Sequence, residues 1–289
     1  MKIISYWLVR LVAFIFSILP FGALYALSDF LYIVLYKLVG YRVKVVKDNL
    51  QKSFPGYSPD KILAIEKLFY KNLCDITLES FKAFSMSKAT LLERYKVVNP
   101  EILDKHYERG ESVFISASHF SNWEWGTLIF NLALKHAPVG IYKPLTNPVV
   151  NKYVTLNRGR FGLILLPMKQ ALAKIAEMRD QPYAFIIVND QWPSNLEQAH
   201  RVRFLQRDTP FLHGLDKIAR ETGHPVYYIH INRVRRGYYE LTLSLLCLDP
   251  KTTKEGEVTT AFAAKLESLI YEKPQDWLWS HRRWKKVLD

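Results

Sequence analysis

Short apolar runs alternate with helix-like stretches from residue 112 towards the C-terminus. Six of these runs have the length and composition of strands, and they cover residues 112–117, 138–142, 163–166, 183–188, 225–231 and 238–246. Between most of them the pattern predicts helices, near 122–135, 147–158, 169–179 and 210–222, and a last helix near 257–272. This alternation is typical of an α/β fold, and we expect a mixed, largely parallel sheet flanked by helices.

The first 40 residues have a different composition. No charged residue occurs from Leu11 to Ser28, and a second apolar patch follows from Phe30 to Tyr36. The uncharged run is close to the roughly 17–25 residues that span a bilayer, although Pro20 and Gly22 interrupt it. We expect a hydrophobic, membrane-anchoring helical segment that either spans with a kink or lies in one leaflet as a helical hairpin. The alternative is a buried amphipathic helix of a soluble protein.

A polar, basic connector follows and ends at Ser58 and Pro59, which are a helix cap and a proline at the first helical position. The apolar positions from Asp60 to Phe84 recur at helical spacing and predict an amphipathic helix.

We therefore predict three regions. Residues 1–40 form the membrane anchor, residues 41–110 a basic connector with an amphipathic helical region, and residues 111–289 an α/β domain with an aromatic and basic C-terminal tail. More basic residues follow the apolar segment than precede it, which places the main domain on the cytoplasmic side of the membrane.

The net charge narrows the choice of partners. Forty Lys and Arg oppose 27 Asp and Glu, which gives a formal charge of +13. This excess implies an anionic partner, namely nucleic acid, an anionic membrane surface, or an acidic substrate or carrier protein. The two cysteines, Cys74 and Cys247, have neither a disulfide framework nor a metal-ligand spacing, so we expect buried thiols and no metal site.

The most informative stretch joins the first predicted strand to its helix. His119 lies in the loop, Ser121 is the expected helix cap, and Glu124 falls in the first turn. A neutral imidazole can remove a proton from an alcohol while a carboxylate fixes its tautomer. However, Ser121-x-x-Glu124 is also a capping box, in which the glutamate binds the amide of the cap residue. The spacing alone leaves both interpretations open.

Three further residues lie at predicted strand ends or helix ends. Lys143 and Arg158 either bind phosphate or carboxylate near His119, or belong to a solvated surface. Asp190 closes an apolar strand, where sites in α/β sheets gather, but it is equally compatible with a helix or turn cap.

Four motifs occur in an order and at separations found in one protein family. They are His119-Phe120-Ser121-Asn122-Trp123-Glu124, Tyr142-Lys143-Pro144-Leu145-x-Asn147 with Arg158 eleven residues on, Asp190-Gln191, and Trp277-Leu278-Trp279-x-His281-Arg282-Arg283-Trp284-Lys285. With these motifs the chain resembles, over nearly its whole length, the late acyltransferases of bacterial lipid A biosynthesis. Wider glycerolipid acyltransferases share the histidine-to-acid spacing, but glutamate as the acid favours the lipid A subset.

The resemblance implies transfer of a fatty acyl chain from an acyl carrier protein thioester, or from acyl-coenzyme A, to a hydroxyl of a phosphorylated glucosamine lipid in the membrane. It implies His119 as general base and Glu124 as its orienting partner. It assigns substrate binding to Asn122, Lys143, Asn147, Arg158, Asp190 and Gln191. Because a thioester is already activated, no cofactor or metal is expected. The implied location is the inner membrane, with the catalytic domain facing the cytoplasm. The resemblance implies no nucleic-acid partner.

One segment departs from the family pattern. Many relatives have a glycine-punctuated apolar segment after the acidic motif, whereas Trp192 to Asp208 is polar, contains no glycine and carries Arg201, Arg203 and Arg207. Because such loops often recognise substrates, this departure affects the identity of the acceptor more than the type of reaction.

Two alternatives stay open. One keeps the chemistry but changes the acceptor to a lysophospholipid or an aminolipid. The other is a non-catalytic, basic membrane-bound protein that binds anionic lipid or nucleic acid through the aromatic and basic tail, Trp277 to Lys286. The chain has no Gly-rich phosphate loop, Gly-x-Ser-x-Gly elbow, His-Glu-x-x-His helix or dinucleotide fingerprint.

Overall fold

The computed structural model describes residues 2–285, and within these residues a seven-stranded mixed sheet forms the centre of the protein. Residues 1 and 286–289, which belong to the predicted anchor and to the predicted tail with Lys286, lie outside the described part. The strands are β1 (Tyr95–Val97), β2 (Val113–Ala117), β3 (Ala137–Tyr142), β4 (Ile164–Pro167), β5 (Tyr183–Val188), β6 (Ala199–Phe204), β7 (Arg207–Leu212), β8 (Val226–Arg235) and β9 (Tyr238–Cys247).

Eleven α-helices accompany the strands in the described residues. They are α1 (Lys2–Ile18), α2 (Phe21–Tyr32), α3 (Val43–Ser53), α4 (Pro59–Lys82), α5 (Lys88–Arg94), α6 (Asp104–Glu108), α7 (Trp123–Ala133), α8 (Pro148–Gly159), α9 (Ala171–Glu177), α10 (Gly214–Thr222) and α11 (Glu257–Glu272). Helices cover the sheet, so its central strands are almost completely buried. This is the layered arrangement expected when strands and helices alternate along a chain.

The sheet order is β1-β9-β8-β2-β5-β3-β4. The strands from β8 to β4 run parallel, and β9 joins β8 as an antiparallel hairpin. The predicted α/β fold with a mixed, largely parallel sheet is therefore confirmed. The six predicted strands correspond to β2, β3, β4, β5, β8 and β9.

The sequence pattern misplaced one helix and missed three strands. Residues 210–212, predicted to begin a helix, belong to β7, and α10 begins only at Gly214. The hairpin of β6 and β7 was not predicted because its solvent-facing positions are polar, whereas its other face packs Phe204 and Phe211 into the core. The third missed strand, β1, has three residues, too few for a recognisable alternation.

The apolar N-terminal segment folds into two helices, with Pro20 at the cap of α2. Helix α2 continues through a π-helical turn, Ile33–Leu38. The resulting apolar helix, Phe21–Leu38, is long and apolar enough to cross a membrane, and few of its side chains are buried in the protein. One N-terminal helix can thus anchor the protein in a membrane.

Candidate active site

The pairing of β2 with β5 brings His119 and Asp190 together. These strands are parallel, and Ala117 is the register partner of Val188. Both strands therefore end on the same side of the sheet. His119 and Asp190, two positions beyond these register partners, also lie side by side. Carboxyl ends of parallel strands are the usual location of sites in α/β sheets.

Asp190 holds His119 through two hydrogen bonds. The imidazole Nδ1 lies 2.6 Å from Asp190 Oδ1, and the backbone amide of His119 donates to Oδ2 at 2.9 Å. The indole Nε1 of Trp277 donates to the same Oδ2 at 2.9 Å. Asp190 is buried, whereas the side chain of His119 is 19% exposed, so the imidazole faces the space from which a substrate would approach.

These contacts shift the pKa values of both residues. Burial disfavours the imidazolium, but the charge and the hydrogen bond of Asp190 outweigh burial and raise the pKa of His119 above its ordinary value. Burial likewise opposes ionisation of Asp190, but the charge of His119 and the donated hydrogen bonds lower the pKa of Asp190. Asp190 therefore remains an anion beside a histidine of increased basicity.

The other imidazole nitrogen is available as a base. Because Nδ1 donates its proton to Asp190, Nε2 of the neutral ring carries the lone pair. The side-chain amide of Gln191 donates to this Nε2 at 3.2 Å. The edge of the Trp123 ring packs against the imidazole, with ring centroids 5.1 Å apart.

Glu124, predicted to orient His119, forms no hydrogen bond with it in the described residues, although its charge contributes to raising the pKa of His119. Its carboxylate instead forms a two-pronged ion pair with Arg158, in which Nη2 lies 2.7 Å from Oε1 and Nε lies 3.3 Å from Oε2. The reason is packing: α7 and α8 lie side by side and bring the two side chains together. A guanidinium can satisfy both carboxylate oxygens at once.

The predicted capping box is also wrong. Helix α7 begins at Trp123, and its cap is Asn122, whose Oδ1 accepts from the amide of Trp125 at 2.9 Å. Ser121 instead has a positive φ of 55°, in the left-handed region, and its amide donates to the carbonyl of Asp276. The loop after β2 is thus held in a strained conformation by the C-terminal segment, a feature that occurs often at functional sites.

The remaining predicted substrate-binding residues have different environments. Asn147 caps α8 by accepting from the amides of Val149 and Val150. Lys143 is exposed and forms no ion pair with the described residues. Asn122 is buried, and its Nδ2 donates to Glu79 Oε2 at 2.6 Å. Arg158, Asp190 and Gln191 thus lie close to His119 or to its neighbour Glu124, whereas Asn122 and Asn147 serve as helix caps.

Sequence reasoning missed two residues that support the site. Trp277 belongs to the tail motif, and its indole reaches Asp190. Glu79, on α4, accepts hydrogen bonds from Asn122, Tyr25 and Tyr239. The aromatic tail was a visible signal for Trp277, but no local pattern distinguishes Glu79 from other glutamates of an amphipathic helix.

The tail itself is largely buried. Trp277 and Trp279 are 3% and 0% exposed, and Arg283 is 1% exposed. These three side chains are therefore not accessible for stacking on single-stranded nucleic acid. The tail forms part of the wall behind the active-site loop, and Leu278 donates from its amide to the carbonyl of His119.

A mainly apolar cavity of about 280 Å³ lies beside the Glu124–Arg158 pair, between α4, α7 and α8. Its lining consists of Ser80, Phe81, Ala83, Phe84, Glu124, Thr127, Leu128, Leu145, Val150, Val154, Asn157 and Arg158. The ion pair lies at the border of this apolar space, so a ligand with a polar head and a hydrocarbon chain would fit its chemistry. No group of three or more His, Cys, Asp or Glu side chains in the described part of the chain is arranged to hold a metal ion.

Comparison with known proteins gives two matches. The family model of bacterial lipid A biosynthesis acyltransferases matches residues 1–286. The lipid A biosynthesis lauroyltransferase of Escherichia coli (strain K12) is 22% identical over 289 residues, which cover 97% of this chain and 92% of that protein. The similarity therefore includes the N-terminal helices and the C-terminal tail as well as the sheet.

Proposed function

This chain belongs to the bacterial lipid A biosynthesis acyltransferase family, and we propose that it transfers a fatty acyl chain from a thioester to a hydroxyl of a lipid A precursor. The observation that carries this proposal is the His119–Asp190 pair, because removal of a proton from an alcohol requires a base of increased strength whose Nε2 carries a lone pair.

The proposed reaction is direct. Nε2 of His119 takes the hydroxyl proton of the acceptor while the oxygen attacks the thioester carbonyl. The carbon–sulfur bond then breaks, and the imidazolium returns its proton to the departing thiolate. Asp190 keeps the imidazole in the required tautomer and stabilises the imidazolium. The thioester supplies the activated acyl group, so the proposed reaction uses no separate cofactor.

We assign stabilisation of the developing negative charge to Arg158. Glu124 holds its guanidinium from both oxygens, and the ion pair lies next to the N-terminus of α7, whose dipole also favours negative charge. In this assignment Glu124 positions Arg158 rather than His119. The apolar cavity between α4, α7 and α8 would hold the acyl chain, because its hydrocarbon lining begins at this ion pair.

The proposed donor is an acyl carrier protein, with acyl-coenzyme A as the alternative, and the proposed location is the inner membrane with the sheet domain in the cytoplasm. The net charge of +13 supports these anionic partners. The exposed apolar side chains of the N-terminal helices support contact with lipid.

The test is acyl transfer by the full-length protein in detergent, with a lipid A precursor as acceptor and labelled acyl carrier protein as donor. We expect His119→Ala to lower the transfer rate by about 10²–10⁴-fold, the usual contribution of a general base. His224→Gln is the matched control, because His224 precedes β8 at the opposite edge of the sheet. Full activity of His119→Ala would overturn the proposal.

The identity of the acceptor is tested in cells. We expect mass spectrometry of membrane lipids after gene deletion to show lipid A that lacks one acyl chain. Loss of a chain from a phospholipid or an aminolipid instead would replace the lipid A acceptor while retaining the acyl-transfer chemistry.

A further inference from the structure

A second cavity, of about 580 Å³, lies between the β6–β7 hairpin, α3 and the C-terminal tail, and we call it the basic hairpin cavity. It is lined by Asp48, Lys52, Trp192, Arg201, Arg203, Gln206, Arg207, Asp208, Pro210 and Trp284. Its size lies within the roughly 300–1,000 Å³ typical of small-molecule sites. The lining combines basic and aromatic side chains. Most of its residues belong to the segment from Trp192 to Asp208, in which this chain departs from the family pattern.

The positive charge of this cavity is only partly neutralised. Asp208 forms an ion pair with Arg201, and Asp48 pairs with Lys52 at 2.8 Å. Arg203 and Arg207 form no salt bridge with any described residue. Two guanidinium groups thus remain without a carboxylate partner inside one concave surface. Such a surface attracts a group with more than one negative charge.

Arg207 is held in place without a counter-ion. Its Nη2 donates to the carbonyl of Asn49 and to Ser53 Oγ, and its guanidinium carbon lies 3.3 Å from the centroid of the Trp284 ring. Its Nε has no partner among the described residues. Burial lowers the pKa of Arg207 to about 10 against the opposing charge of Asp48, and no carboxylate of the described residues forms a salt bridge with its guanidinium. An arriving anion would supply the missing charge.

Arg283 is a further arginine beside the cavity that forms no salt bridge with the described residues. Its Nη2 donates to the carbonyl of Pro210, a lining residue, but its Nε and Nη1 are buried without a partner in the described part of the chain. Burial lowers the pKa of Arg283 to about 9. Arg283 does not line the cavity, but its charge behind Pro210 adds to the positive potential there.

Two residues of the cavity lining, Trp192 and Trp284, adjoin residues that contact the His119–Asp190 pair. Trp192 lines it and follows Gln191, whose side chain contacts Nε2 of His119. On the other side, Trp284 lines the cavity and packs against Trp277, which hydrogen-bonds Asp190. The cavity is thus separated from the His119–Asp190 pair by one residue on each of these two paths.

We propose that the basic hairpin cavity binds the phosphate of the acceptor lipid, with its sugar against the aromatic side chains, and so selects a phosphorylated acceptor. This inference rests on the proposed function. Arginine matches the geometry of phosphate and also stacks on aromatic rings, and both uses are present here. An acidic carrier protein is less suitable, because a stable protein partner needs a surface of roughly 800 Å² rather than a small concave cavity.

The decisive variant is Arg203→Ala, because Arg203 is exposed and removing it disturbs neither the core nor an ion pair. We expect the KM for the phosphorylated acceptor to rise about tenfold with little change in kcat, the effect of losing a charged hydrogen bond. For an acceptor dephosphorylated by a phosphatase, the wild type and Arg203→Ala should have the same KM. Arg109→Ala, an exposed arginine next to the start of β2, is the control for net charge and should leave both KM values unchanged.

Two kinetic results would overturn the inference. One is an equal rise in KM for both acceptors, and the other is a rise in KM for the carrier-protein donor alone, which would make the cavity a docking site for the carrier.

A binding measurement separates failure of this inference from failure of the proposed function. His119→Ala protein in nanodiscs, without any donor, is titrated with the phosphorylated glucosamine lipid and with its dephosphorylated form. We expect tighter binding of the phosphorylated form, and loss of that preference in the His119→Ala, Arg203→Ala double variant. Equal binding of both lipids by His119→Ala protein would overturn the inference, even if the wild type transfers acyl chains. A preference for the phosphorylated lipid that depends on Arg203 would sustain the inference, even if the wild type shows no acyl transfer.

Discussion

Three carboxylates near the candidate site differ in their partners and therefore in what they can do. Asp190 faces an imidazole and an indole N–H, and its pKa is lowered despite burial. Glu124 faces a guanidinium at the border of the apolar cavity. Glu79 is fully buried among hydroxyl and amide donors, and burial raises its pKa. The residue type alone does not show which carboxylate binds the histidine, which one pairs with an arginine and which one is buried in the hydrogen-bond network.

The pH dependence of the reaction follows from the His119–Asp190 pair. The imidazole acts as a base only when it is neutral, so the rate should fall as pH drops through the pKa of His119, which lies above 6.5. Asp190→Asn removes the charge that raises this pKa and leaves burial, which lowers it. We therefore expect the acid limb of kcat/KM to move to lower pH, with a maximal rate about 10²–10⁴-fold lower. An unmoved acid limb would contradict the assignment.

At the scale of elements, a buried polar network joins the apolar N-terminal helices to the active-site helix. Asp75 on α4 accepts from Ser28 on α2 at 2.6 Å. It also binds Arg233, which belongs to β8, and Arg236, which directly follows that strand. One turn further along α4, Glu79 accepts from Tyr25 on α2 and from the cap of α7. The apolar helix α2 and the start of α7 are thus fixed to the same helix, α4.

We expect Asp75→Asn to destabilise this junction. The substitution leaves two arginines without a full counter-ion, one of them nearly buried, and breaking a buried ion pair in this way costs roughly 3–5 kcal/mol. Asp29→Asn is the matched control, because Asp29 is 61% exposed and pairs only with Arg236, so its loss should cost less than about 1 kcal/mol. Thermal unfolding of both variants in one detergent measures the difference. Equal unfolding midpoints would show that the network contributes little.

The strands and helices that carry a strong local period were predictable. The run from Val113 to Ala117 and the helix from Glu257 to Glu272 follow directly from the sequence pattern. The β6–β7 hairpin was not, because its turn at Leu205 and Gln206 uses positive φ values without glycine. The carboxylate of Glu267 supports that turn by accepting from the amide of Leu205, a contact between residues 62 positions apart.

At the scale of the whole molecule, the N-terminal helices expose many large apolar side chains. Among the side chains whose exposure the structure describes, the exposed large apolar ones there include Trp7, Leu11, Phe14, Ile15, Ile18, Leu27, Phe30, Ile33, Leu38 and Val39. Contiguous apolar surface of this kind marks a membrane or protein contact. Helix α1 also packs against α8, which borders the apolar cavity, so a membrane at these helices would lie near the proposed acyl-chain site.

We expect the double variant Phe14→Ser, Phe30→Ser to bind membranes more weakly while it remains folded. Each phenylalanine contributes roughly 1.5–3 kcal/mol when it leaves water, so the partition coefficient between vesicles and water should fall about tenfold or more for each substitution. Leu248→Ser, an exposed apolar residue after β9, is the control and should not change binding. Vesicle flotation measures the effect. Undiminished binding of the double variant would place the membrane contact elsewhere.

The sequence by itself determined the fold class, the apolar N-terminus and the strand-end positions of His119 and Asp190, because local periodicity and turn chemistry encode each of these. Only the tertiary structure decided which acid meets which base. The register of β2 with β5 brings His119 into contact with Asp190. The packing of α7 on α8 brings Glu124 into contact with Arg158. Partners far apart in sequence are chosen by strand register and helix packing, and these depend on the whole folded chain rather than on spacing along it.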